Sequence, residues 1–160
     1  MDNPEQQLRY YAEHFRLVEV DSTCHELPGA RDVEAWVSGT PEGFTFDVQA
    51  FALLTHHPTH PAALPPDLRP ATGRPVHQQD LSPAVVDAVW RRFLDGVEPL
   101  RAAGRLGLLL FRFPHWFRPG PRTEEYLLEC QQRCSPARIC VEFCKPSGSV
   151  PAGPGAPCAS

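Results

Sequence analysis

Long apolar runs are missing from this chain of 160 residues. None approaches the roughly 18 residues that a helix crossing a bilayer requires, so a membrane-spanning helix is not expected. The opening stretch, "MDNPEQQLRYYAEHF", is polar and holds no apolar core of the secretory type. The expected compartment is therefore the cytoplasm. Basic charge is also scarce: 15 Lys and Arg stand against 19 Asp and Glu, a formal net charge of -4. No overall positive field draws the chain to nucleic acid or to anionic lipid, although a local basic site remains open. Repeats of solenoid type are absent.

Proline, by contrast, is abundant at 19 residues, gathered in one internal loop and near the C-terminus. Six cysteines are present, at 24, 130, 134, 140, 144 and 158. The run Cys130, Cys134, Cys140, Cys144 invites a metal reading. Cys130 and Cys134 share a helix face, but Cys140 and Cys144 fall on a strand, where four residues span about 13 Å. Two thiolates so far apart cannot both reach one zinc. Buried thiols are the favoured reading, ahead of a metal cluster or disulfides, and no metal ligand is assigned.

Periodicity divides the chain. Leu8, Tyr11, Ala12 and Phe15 recur at helical spacing over residues 5–15. "RLVEVDST" (16–23) alternates as a strand. Val33, Trp36 and Val37 mark a helix over 28–40 that stops at Gly39. "GFTFDVQAFALLT" (43–55) opens as a second strand, and a proline-rich loop follows over 56–80. A loop that long inside a compact domain is usually functional or disordered. The clearest helix is 81–104, with Ser82 as N-cap, Pro83 at its first position and Gly104 just past its end. "LGLLLFRF" (106–113) is the third strand, 122–134 a fourth helix with Thr123 as a possible cap, and "ARICVEF" (137–143) the fourth strand. Strands alternating with helices predict a parallel sheet with right-handed crossovers. Residues 1–144 form the expected domain. The Pro/Gly/Ala-rich stretch 145–160 reads as a disordered tail.

Alternation along the strands sorts their faces. Val18, Val20, Phe46, Val48, Leu109, Phe111, Phe113, Val141 and Phe143 share the apolar face that helices should cover. The opposite face collects Glu19, Asp21, Asp47, Gln49, Arg112 and Glu142, mostly near the C-terminal ends, where parallel α/β folds place ligands. Arg112 is the odd member of an otherwise apolar strand. A guanidinium there is expected against Glu142 or Glu19, or against an anionic ligand. Such a pair can equally be structural. The "THHPTH" run (55–60) sets Thr55 and three histidines beside the same mouth. Trp116 and Phe117 are expected to pack under the following helix.

"YYAEHFRLVEVDST", "GFTFDVQAFALLTHH", "GRLGLLLFRFPHWF" and "CVEF" together resemble successive motifs of the YecE-like family, the domain of unknown function 72, in its actinobacterial form. The resemblance runs from about Leu8 to Phe143. It implies a TIM-type β/α barrel and supplies no reaction. Relative to the family pattern, Gln49 stands for a usual Lys, Arg112 for Gln, His25 for Tyr and Cys144 for Arg, while Glu19, Thr55 and Glu142 are in place. A Gly-Thr-Ser-Gly-Trp-like first strand is not seen, nor the family's segments beyond Phe143.

The expected fold is thus α/β: a partial TIM-type barrel of about four parallel strands, helices outside, cut at both ends. The expected function is that of a truncated, catalytically inactive remnant or interaction module that self-associates through exposed sheet edges. The alternative is a metal-assisted enzyme or binder of phosphate-bearing or nucleic-acid ligands. Glu19 and Glu142 would then be catalytic, with Asp21, Gln49, Thr55, His56 and Arg112 holding the ligand. No cofactor is assigned.

Overall fold

The computed structural model describes residues 3–145. Its elements run α1 (Pro4–His14), β1 (Leu17–Val20), α2 (Ala30–Ser38), β2 (Thr45–Gln49), α3 (Pro83–Ala102), β3 (Leu106–Phe113), α4 (Pro121–Cys134) and β4 (Arg138–Phe143). The strands form one four-stranded sheet in the order β1-β2-β3-β4, every pair parallel. A sheet whose spatial order follows its sequence order never reverses its winding. Right-handed crossovers therefore stack all the helices on one face, as in a β/α barrel and unlike a doubly wound sheet.

Local chemistry starts and stops the helices where the sequence suggests. The Ser82 hydroxyl accepts from the Val85 N–H at 3.4 Å, and Pro83 follows at the position that has no hydrogen bond to lose. Gly104, at φ +68°, turns the chain out of α3. The α3 stripe of Val89, Trp90, Phe93, Val97 and Leu100 is buried against Phe46, Val48, Leu109, Phe111 and Phe113. Gly96 lies in the same stripe because a side chain there would strike the Pro28 carbonyl, so α2 and α3 cross closely. Arg105, buried at the foot of β3, donates to the Thr40 hydroxyl at 2.9 Å and to the Thr40 carbonyl at 3.3 Å.

Several boundaries differ from the expectation. The first strand ends at Val20, and Ser22–Cys24 turn as a 3-10 helix. The second ends at Gln49, after which Ala52–Thr55 form another tight turn. The proline-rich loop is built rather than formless. It holds three short 3-10 turns and an antiparallel bridge between Thr59 and Val76. Thr123 does not cap α4: Gly120 occupies the N-cap, and the Thr123 hydroxyl instead donates to the Arg118 carbonyl at 2.6 Å. Phe117 does pack inward, on Phe113 and Tyr126, whereas Trp116 is about half exposed. Most of the tail expected over 145–160 lies outside the described residues.

Candidate functional site

The mouth forms around Arg112. Phe111 and Phe113 are buried on the helix side of β3, so Arg112 projects from the opposite face, as alternation requires. Its Nε donates to Glu142 Oε2 at 2.9 Å, its Nη2 pairs with Glu19 Oε1 at 2.7 Å, and its Nη1 reaches Gln49 Oε1 at 3.5 Å. Four strands thus contribute one polar side chain each to one cluster. The bond to Glu142, with the nearby Glu19 charge, holds the guanidinium more firmly protonated than usual. The cluster is open to water: the side chains of Arg112, Glu19 and Glu142 are 33%, 41% and 57% exposed.

This geometry limits the chemistry. Three of the five guanidinium N–H donors are engaged, which leaves two for an anion. Two carboxylates against one guanidinium leave the cluster net acidic, so a phosphate taking those two donors would do so against the charge of Glu19 and Glu142. Among the described residues, no group of three or more His, Cys, Asp or Glu side chains is placed to share a metal ion.

The other expected site residues are not all brought here. Asp21 is exposed at the end of β1, close enough to Cys24 that its charge adds to burial in pushing that thiol upward. Arg112 pulls the same thiol down, which places Cys24 within its field. Thr55 and His56 belong to a separate layer. The Thr55 hydroxyl is buried, donates to the Ala52 carbonyl and contacts His57 Nδ1 at 2.9 Å. His56 takes a left-handed backbone at φ 62°, and its ring stacks on Phe117 and meets Tyr126 edge-on. Burial, then the charges of His57 and His77, hold its pKa below the ordinary histidine value. Tyr126 ties this layer down by donating to the Leu54 carbonyl at 2.6 Å.

Two features escaped the reading of the sequence. Asp47 faces the mouth side but is committed to the backbone, accepting from the Leu108 N–H at 2.7 Å. The β2–β3 register shifts there, and Gly107 leaves the space that the Asp47 carboxylate fills. A glycine inside an apolar strand was the available signal for such a bulge. The second is Cys140. It is an exposed free thiol, whereas Cys130 and Cys134 are buried, with pKa values pushed up to about 12 by desolvation. The buried-thiol reading therefore holds for α4; it fails for Cys140, which alternates onto the open face of an edge strand, and for Cys144, which is disulfide-bonded.

A sequential parallel sheet with helices on one side and a polar cluster at its C-terminal ends defines a barrel-type β/α protein. Residues 1–147 match the family described as "Protein of unknown function DUF72", and the chain belongs to that family. It is 27% identical over 139 residues to the UPF0759 protein YunF of Bacillus subtilis (strain 168), covering 87% of this chain and 43% of that relative. A crystal structure of a DUF72 family protein from Enterococcus faecalis V583 matches with a TM-score of 0.66 at 21% identity, over 87% of this chain and 48% of that one. A second, from Thermotoga maritima MSB8, matches with a TM-score of 0.61 at 26% identity, over 88% and 46%. The chain thus spans a little under half the length of these relatives. Among the described residues no helix is long and apolar enough to cross a membrane.

Proposed function

We propose that this chain works as an assembly module, a β/α unit whose two sheet edges are covered by further β/α layers, rather than as a self-contained catalyst. The observation that carries this reading is where the large exposed apolar side chains fall. Tyr10, Tyr11, Phe15 and Leu17 belong to α1, β1 and their junction; Trp116, Leu128 and Phe143 belong to α4, β4 and the loop before α4. Exposed apolar side chains gathered at open sheet edges mark surfaces that another layer covers. The mouth supports the same reading, since Glu19 and Glu142 are both spent on Arg112. A catalytic role for either carboxylate would require its release from that pair. We place its work in the cytoplasm, which the free thiols at Cys24, Cys130, Cys134 and Cys140 suit, whereas the disulfide-bonded Cys144 does not.

The test uses Cys140, which lies on the β4 edge. Maleimide labelling of Cys140 is compared in intact cells and in the dilute purified chain. Covered edges slow labelling in cells by about tenfold or more. Equal rates in both settings would overturn the reading.

A further inference from the structure

We infer that the layer covering each edge is a second copy of this chain, with β4 of one copy pairing in parallel with β1 of the other at two equivalent seams. This inference rests on the assembly reading above. Four parallel strands are half of the eight at which a β/α sheet closes into a barrel. A two-fold axis along the barrel keeps all strands parallel and leaves no edge open.

The stagger of the strands has the sense that closure needs. Following the paired residues across the sheet, Val20 is level with Val48, Leu109 and Ile139. Val20 ends β1, whereas β4 continues to Phe143. The strand ends therefore climb from β1 to β4, the tilt of a barrel rather than of a flat sheet. The Arg112–Glu19 pair leans the same way, linking β1 to a residue beyond its level on β3. An eight-stranded barrel of shear 8 accumulates about four residues of shift over half a turn. Applied to β4 and the next β1, that shift sets Leu17 opposite Cys140, Val18 opposite Val141, and Glu19 opposite Glu142. Facing parity agrees, since Leu17, Glu19, Cys140 and Glu142 are exposed on one face, and Val18 and Val141 pack against the helix side. The two Arg112 guanidiniums and four carboxylates then form one ring at the mouth.

The helices fit the same seam. A helix that leads into a strand packs over the groove between that strand and the one before it. For α1, that groove is the seam, and among its described residues α1 buries only Ala12. Tyr10, Tyr11 and Phe15 of one copy are thereby left to meet α4 of the other, where Leu128 is exposed.

The test is oxidative cross-linking of the full chain, mapped by mass spectrometry of its peptides, with sedimentation equilibrium of the reduced wild type alongside. Leu17→Cys changes an exposed residue and should fold as the wild type does. It is expected to link position 17 to Cys140 at least about tenfold faster than Val18→Cys links position 18, because adjacent paired residues fall within disulfide reach and Val18 faces the other way. Adding Cys140→Ser should abolish the link. Sedimentation should give a dimer. A monomer at all concentrations, a Cys140–Cys140 link, or equal rates for the two variants would each overturn the second-copy inference. The assembly reading fails separately: Cys140 shielded in cells while the purified chain stays monomeric would leave that reading standing and this inference refuted.

Discussion

The centre of the sheet and its two flanks are built to different standards. In β2 and β3 every helix-facing residue from Phe46 to Phe113 apart from Leu106 is buried, and α3 above them contributes a continuous buried stripe. In β1 no residue is fully buried, and in β4 none is either. The same alternation governs all four strands, so the difference is one of neighbours. β2 and β3 have a strand on each side, whereas β1 and β4 have one each. A strand with one neighbour keeps half its backbone groups and much of its apolar face in water, and the flanks carry the apolar side chains that another layer could use.

The comparison can be broken hardest at the centre. Phe111→Ala should destabilise the chain by about 3–5 kcal/mol, because it removes a fully buried ring between Trp90 and Phe113. Urea melts followed by circular dichroism measure it. Gly96→Ala should cost about 1–3 kcal/mol by the same measurement, since the methyl group must push α3 off the Pro28 carbonyl. At the mouth the expected loss is smaller. Arg112→Ala should cost under about 1 kcal/mol in the dissociated chain, because its ion pairs are open to water. A loss as large as that of Phe111→Ala would mean that the pair is far less hydrated than its exposure indicates.

A pH titration sharpens the contrast in the loop layer. Burial holds both His56 and His57 below the ordinary histidine value. The unfolded chain therefore binds protons first. Their stabilising contribution is complete above about pH 6.5 and drains as pH falls through that value towards the lower folded ones. Thermal melts should accordingly show Tm falling between pH 7.5 and pH 5.5, with a shallower fall in His56→Asn, a substitution that tolerates the left-handed backbone. An unchanged slope would remove His56 from the account.

The sequence made the central layer legible and the flanks less so. Helix α3 was readable at both ends because Ser82, Pro83 and Gly104 punctuate it, and its stripe has an unbroken period. The Arg112 cluster was readable because alternation is a local rule and a guanidinium among Leu and Phe needs a partner. The placement of Thr55 and His56 was not, since nothing local announces that a loop will fold its histidine against Phe117 and Tyr126. The Thr123 cap failed for a related reason: Pro121 fixes where α4 starts, two residues before the hydroxyl that seemed suited to cap it. The bulge at Gly107 and the commitment of Asp47 to it depend on a neighbouring strand, which no single-strand pattern contains.

The central claim is that the two flanks are interfaces between copies. Hydrogen exchange of the purified chain, measured across a dilution series, tests it most directly. The account predicts protection of β1 and β4 amides that approaches that of β2 and β3 at high concentration and is lost on dilution, with β2 and β3 unchanged. Fast exchange of β1 and β4 at every concentration, or dilution effects spread evenly over all four strands, would contradict it.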